Sequence, residues 1–118
     1  MKVYLTRESV CAGDDGDAPH AEEIAVVDGA GIRDIIAIIA KSGYLASIIG
    51  GEATWSASSR ILLAVIAQQW PEPRMLSQFP TRLESLDVRG GILHIHFNYH
   101  AQQSPDTVYD VLQRIQQS

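Results

Sequence analysis

The sequence has few of the features that mark secreted, disulfide-bonded or membrane-spanning proteins. Its 118 residues include one cysteine, Cys11, so the chain cannot form an internal disulfide. The longest apolar run covers only residues 61–67, whereas a membrane-spanning helix needs about 20 apolar residues. No signal-peptide pattern of an apolar segment and a small-residue cleavage site follows Lys2. These absences predict a cytoplasmic protein in which Cys11 is an inert small side chain.

The common catalytic motifs are absent as well. The sequence has no Gly-x-Ser-x-Gly turn, no phosphate loop with lysine, no His-Glu-x-x-His helix and no cysteine pair. It also lacks the basic patch with interspersed aromatic residues that is typical of nucleic-acid-binding proteins. The sequence therefore predicts no cofactor and no nucleic-acid partner.

Negative charge is concentrated in the first quarter of the chain. The net charge is −5, and residues 1–28, with seven acidic and two basic residues, account for all of it. Residues 29–118 contain seven acidic and seven basic residues and are neutral overall. Such a chain is expected to repel nucleic acid and anionic membranes and to attract a basic partner.

Residue patterns predict several strands. Apolar and polar residues alternate over 2–8, which predicts a half-buried strand, and 22–27 predicts a second strand beside it. The apolar run 61–67 has turn-forming residues on both sides and predicts a strand buried on both faces. The glycine pairs at 50–51 and 90–91 lie between strand-like segments, and each pair predicts a hairpin.

Helical periodicity predicts two helices. The first has Asp28 as its N-cap and Gly43 at its end. Its apolar stripe consists of Ile32, Ile35, Ile36 and Ile39. The second begins at Ser104 and Pro105. Its predicted apolar stripe consists of Val108, Val111, Leu112 and Ile115.

Together these elements predict a single α+β domain over residues 1–118. Its sheet is expected to be largely antiparallel, with about six or seven strands and two helices. The opening order of strand, acidic loop, strand and helix resembles that of a ubiquitin-like β-grasp domain. The N-terminal half is therefore expected to be β-grasp-like.

An acidic loop is the first candidate functional feature. Its carboxylates, with two that follow closely, are Asp14, Asp15, Asp17, Glu22 and Glu23. Their spacing does not match a calcium-binding EF-hand loop, which needs acids at alternate positions, a central glycine and a closing glutamate. The segment is either a solvated loop or an anionic surface that docks into the basic cleft of a partner.

Histidines at alternate positions of the last predicted strand are the second candidate. One strand face carries His94, His96, Asn98 and His100, and the other carries Leu93, Ile95, Phe97 and Tyr99. Two imidazoles at neighbouring positions of one face can bind a zinc ion or act in general acid–base catalysis. The other interpretation is the polar, solvent-facing side of an amphipathic hairpin.

Six short segments carry a family resemblance. They are VYLTRESV at 3–10, AGDD at 12–15, DAPH at 17–20, GYLASI at 43–48, GEATW at 51–55 and AVIAQQW at 64–70. In these segments the chain resembles a small bacterial family of immunity proteins from contact-dependent or polymorphic toxin systems. The resemblance implies a protein, not an enzyme, that binds and neutralises a toxin domain. Many such toxins are basic nucleases, which agrees with the acidic charge, and the five carboxylates of the acidic segment are then the expected contact residues.

Two other functions are compatible with the sequence. One is a small metal- or histidine-dependent enzyme that uses the strand face of His94, His96 and His100. The other is a β-grasp-like subunit of a larger assembly.

Overall fold

The structure is a computed structural model that describes residues 1–10, 16, 18–46, 51–76 and 82–117. Within these residues the chain forms one seven-stranded sheet and two α-helices, which confirms the predicted α+β class. The strands are β1 (Lys2–Arg7), β2 (Glu22–Ala25), β3 (Thr54–Ser59), β4 (Ile61–Ala67), β5 (Arg74–Met75), β6 (Val88–Arg89) and β7 (Ile92–Tyr99). The helices are α1 (Ile32–Lys41) and α2 (Pro105–Gln117). Neither helix has the length and apolar character needed to cross a bilayer.

The central strand of the sheet is β7. The strand order is β2-β1-β7-β3-β4-β5, and β6 pairs with the first residues of β7 on the same side as β3. β1 and β7 are parallel, and the other pairs are antiparallel. β4 is buried on both faces over residues 63–67, as predicted, but it lies next to the edge strand β5. β1 and β2 pair antiparallel and are followed by α1, which is the order of elements predicted for the N-terminal half.

Helix α1 covers one face of the sheet. All four isoleucines of its predicted stripe are buried, and they pack in one cluster with Val3, Leu5, Leu93, Ile95 and Phe97 of β1 and β7. Gly43 takes the predicted left-handed conformation after the helix, with φ +84°. The predicted Asp28 cap is wrong, because Gly31 is the N-cap residue and makes no side-chain hydrogen bond. Asp28 Oδ1 instead accepts a hydrogen bond from the Met1 ammonium at 3.0 Å.

Helix α2 lies on the opposite face, over β4 and β5. Arg74 is paired with Val65 across the two strands, so both side chains point to this face, and Arg74 donates to Asp106 of α2 at 2.8 Å. The Tyr109 hydroxyl donates to the Met75 carbonyl at 3.0 Å. These contacts fix how the helix is rotated against the sheet.

The predicted apolar stripe of α2 is only half buried. Val108 is 5% exposed and Leu112 is partly buried, whereas Val111 and Ile115 are 46% and 57% exposed. The hydrogen bonds of Tyr109 and of the Gln116 side chain, which donates to the Leu62 carbonyl, turn the helix toward its polar side. The side of α2 that packs on the sheet is therefore rotated from the side that apolar periodicity alone predicted.

One of the two predicted hairpins forms. Gly90 and Gly91, with φ +58° and +79°, connect β6 to β7. The first strand of the hairpin predicted around 50–51 does not form over residues 44–46, which are irregular. Residues 47–50 lie outside the described residues. The Tyr44 carbonyl accepts from Arg7 Nε at 3.1 Å, so this segment is held by side-chain contacts in place of a strand partner. β3 instead forms its hairpin with β4, through Arg60 at φ +70°.

Substitution of a buried isoleucine of α1 tests how the helix is packed. Ile36→Ala is expected to lower the free energy of unfolding by about 2–5 kcal/mol, because this side chain is fully buried. Ile38→Ala removes the same atoms from the same helix, but Ile38 is 46% exposed, so a loss below about 1 kcal/mol is expected. Urea denaturation measures both losses, and equal values would contradict the packing of α1 described above.

A pair of valines tests the rotation of α2. Val108→Ala is expected to cost about 1–2 kcal/mol, since it removes two buried carbons worth about 0.8 kcal/mol each. Val111→Ala is expected to change the free energy of unfolding by less than about 0.5 kcal/mol, because Val111 is exposed. Equal costs in urea denaturation would favour the stripe predicted from the sequence over the observed rotation.

Candidate functional site

The face of the sheet that carries α2 is only partly covered. Beyond β4 and β5, the same face of β1, β3 and β7 carries half-buried polar side chains. We call this surface the open face, and its residues are Tyr4, Thr6, Ser58, His94, His96 and Asn98. Strand pairing brings them together, because Tyr4 is opposite His94, and His96 lies between Thr6 and Ser58. The open face is therefore a continuous polar surface on a rigid sheet.

Each histidine of the predicted set has a different partner. The ring of His94 packs against the ring of Tyr4, with centroids 5.0 Å apart. His96 Nδ1 lies 2.7 Å from the Thr6 hydroxyl, in hydrogen-bond contact. His100, which follows the end of β7, places Nε2 2.8 Å from the hydroxyl of Ser56. Thus the structure places all three side chains in contact with β1 or β3.

The three histidines do not converge on one point. Among the described residues, no group of three or more His, Cys, Asp or Glu side chains is arranged to hold a metal ion. The rings are separated along β7 and are engaged with Tyr4, Thr6 and Ser56 respectively. In this arrangement they act as hydrogen-bonding and packing groups of the sheet.

His100 is the histidine with a shifted pKa. Burial lowers its pKa below the usual value, and the charge of Glu8 opposes this shift. Glu8 is held nearby, since its Oε1 accepts a hydrogen bond from the Tyr99 backbone at 2.6 Å. A neutral imidazole is thereby favoured beside Ser56, which is 1% exposed and needs a hydrogen-bond partner.

A pocket of about 250 Å³ lies on the open face and is lined by five of its six residues. We call it the arginine pocket, and its charged and aromatic lining residues are Tyr4, Arg60, Asp87, Arg89, His94 and His96. Arg89 Nε and Nη2 each donate to an oxygen of Asp87 at 3.0 Å. The Asp87 carbonyl accepts from the His94 backbone at 2.8 Å, which fixes this loop on β7. Sequence reasoning missed Arg60 and Asp87, because they lie in separate hairpins and neither belongs to a local motif.

The structure describes two of the five acidic residues that were predicted to contact a partner, Glu22 and Glu23. Asp14, Asp15 and Asp17 lie outside the described residues, as does Cys11. Glu22 and Glu23 are exposed on β2, which is an edge strand of the sheet.

The two glutamates of β2 point to opposite faces of the sheet. Glu22 is opposite Leu5, on the α1 side, and Glu23 is opposite Tyr4, on the side of the open face. Glu23 is 3.4 Å from the Lys2 ammonium. Because successive strand residues alternate, the structure does not combine Glu22 and Glu23 into one carboxylate pair.

A second surface feature adjoins Glu22 on the α1 side. There Arg7 lies near the rings of Tyr44 and Trp55, with its guanidinium carbon 5.8 and 5.9 Å from their centroids. The Tyr44 hydroxyl donates to the His20 carbonyl at 2.7 Å. Burial raises the pKa of Tyr44 to about 12, and the charge of Glu22 acts in the same direction. The segment before β2 is thus tied to the end of α1.

Comparisons of the chain with protein-family models, with curated proteins and with solved structures gave no match. Function is therefore inferred from the charge and geometry of the residues described above.

The shifted pKa of His100 predicts a pH-dependent stability. Because burial lowers the folded-state pKa below the unfolded value of about 6.5, the unfolded chain takes up the proton first as the pH falls. The contribution of His100 is then complete above about pH 6.5 and is lost as the pH falls through the folded-state pKa. His100→Gln cannot titrate and keeps a polar group for Ser56, so its stability should fall less between pH 7.5 and 5 than that of the unchanged chain. Urea denaturation at both pH values measures this, and equal falls would contradict it.

Proposed function

We propose that the chain is a cytoplasmic immunity protein that binds and neutralises a basic toxin domain, with nucleases as the toxin class. The observation that carries this proposal is the location of the charge. Residues 1–28 account for the net charge of −5, and the described glutamates of β2 are exposed at the edge of the sheet. The resemblance of segments within 3–70 to immunity proteins supports the same function.

The exposure of the acidic residues suits long-range attraction. Glu22 has no ion pair among the described residues, and the Asp28 side chain is 95% exposed even though it contacts the Met1 ammonium. Charges in water contribute little to stability but act on an approaching partner of opposite charge. Their expected effect is to raise the association rate with a basic protein.

The position of β2 places its two glutamates at one edge of the sheet. β2 is the first strand in the sheet order and pairs only with β1 within the described residues. Its outer backbone groups and both of its glutamates therefore lie at one side of the sheet. A partner that approaches from this side meets carboxylates on both faces of the edge.

Neutralising the acidic loop tests the proposed attraction. Asp14→Asn, Asp15→Asn and Asp17→Asn together should slow association with a basic toxin domain that the chain neutralises and should flatten its salt dependence. The physical reason is that salt screens exposed charges over about 8 Å at physiological ionic strength. Stopped-flow or surface-binding kinetics at low and moderate salt measure the rate.

The matched control changes three carboxylates outside residues 1–28. Glu52, Glu72 and Glu84 are all exposed, and changing them to glutamine removes the same charge. This control should slow association less than the acidic-loop variant does. Equal slowing by both variants would show that only the net charge matters, and unchanged kinetics in both would overturn charge-guided binding.

Two single substitutions locate the partner relative to the sheet. Glu22→Gln removes a carboxylate from the α1 side of β2, and Glu23→Gln removes one from the side of the open face. Loss of a carboxylate that is buried against a toxin cation should speed dissociation and cost about 2–5 kcal/mol, whereas loss of one at the rim should change mainly the association rate. Measured association and dissociation rates of the two variants distinguish the faces, and no change in either rate for both variants would place the contact away from β2.

A further inference from the structure

We propose that the arginine pocket binds the phosphate group of a small phosphorylated molecule. This proposal goes beyond the immunity function, because it concerns a different part of the chain and a different class of ligand. The pocket lies on the open face around Arg60 and His94, whereas the two described glutamates of the acidic segment lie on the edge strand β2.

The local charge of the pocket is opposite to that of the chain. Two guanidinium groups, of Arg60 and Arg89, and one carboxylate, of Asp87, line it. Both oxygens of Asp87 already accept hydrogen bonds from Arg89, so this carboxylate is neutralised within the pocket wall. The charge of Arg60 remains without a counterion there, and the pocket therefore attracts an anion.

Arg60 is placed to meet that anion. The Arg60 guanidinium and the Tyr4 hydroxyl make no hydrogen bond to any described residue. Arg60 lines the same pocket as His94 and Asp87. Donors from the β3–β4 turn and from β7 thus face the same space.

The backbone at Arg60 points to a use for its side chain. Its φ is +70°, a conformation that glycine adopts without strain and that arginine rarely adopts. Residues Ser59 and Ile61 on either side are paired across the hairpin, so the turn holds Arg60 in this conformation. Strained non-glycine residues tend to occur at functional sites.

The donors around the pocket suit phosphate better than a carboxylate ligand. Besides the arginines, the lining includes the hydroxyls of Tyr4 and Ser59, and the Ser59 oxygen accepts a hydrogen bond from the Asp87 backbone N–H at 2.9 Å. A carboxylate has two oxygens and is satisfied by one guanidinium, whereas phosphate has three terminal oxygens for several donors. The volume of about 250 Å³ also leaves room for part of the attached molecule.

Titration with defined phosphate compounds tests the proposal. Inorganic phosphate, glucose 6-phosphate and AMP are added to the full chain at constant ionic strength, with adenosine as the uncharged control, and binding is followed by calorimetry or by NMR shifts. At least one phosphate compound should bind saturably and adenosine should not. Equal affinities for the three would show recognition of phosphate alone, and a preference would identify a sugar phosphate or a nucleotide as the ligand. No saturable binding of any of them would overturn the proposal.

Variants at Arg60 identify the site. Arg60→Gln and Arg60→Gly should each weaken phosphate binding at least tenfold, and Arg60→Gly should retain the fold because glycine suits φ +70°. The matched control is Arg114→Gln, which removes one exposed positive charge from α2, outside the pocket, and should leave binding unchanged. Unchanged binding in the Arg60 variants, or equal weakening in the control, would overturn the assignment.

Discussion

The parallel pairing of β1 with β7 is the interaction on which the core and the open face both depend. It joins residues about 90 positions apart and runs in register from Lys2 opposite Ile92 to Arg7 opposite Phe97. On one face this register packs Val3 and Leu5 beside the apolar residues of β7, under α1. On the other face the same register puts Tyr4 opposite His94. Because side chains alternate along a strand, a slip of one residue would bury the polar set and expose the apolar one.

On the other face of the sheet, α2 covers the apolar strand β4, whereas no described helix covers the polar residues of β7. β4 is apolar on both sides, so it needs a second cover, and α2 supplies it with Val108 and the carbonyl contacts of Tyr109. The polar positions of β7 need no such cover, because the Thr6 hydroxyl is in hydrogen-bond contact with the His96 ring and Ser58 donates to the His96 backbone carbonyl. A single helix is therefore sufficient on this side, and the uncovered remainder becomes the surface on which the arginine pocket forms.

Charge is distributed over the fold in two separate regions. The acidic excess belongs to residues 1–28, of which the two glutamates of β2 are exposed at an edge of the sheet, while Arg60 and Arg89 line a small pocket around the start of β7. The sheet places Glu23 on the same side as this pocket and Glu22 on the other. A basic protein partner would be recognised by carboxylates and a small anion by Arg60, so substitutions of different side chains separate the two proposed activities.

Local sequence patterns were sufficient for features that depend on residues a few positions apart. The isoleucine stripe of α1, the alternation of β1 and β7, the turn at Gly90 and the start of α2 at Pro105 were all predicted and all form. Only the tertiary structure decided which strands pair, how α2 is rotated, that residues 44–46 stay irregular, and that Arg60 and His94 line one pocket. The physical reason is that periodicity shows which side of an element is apolar, whereas its partner is set by the combined burial and hydrogen bonding of segments distant in sequence. The candidate site follows the same division: the histidine face could be read from alternation, but the pocket beside it exists only where separate hairpins meet.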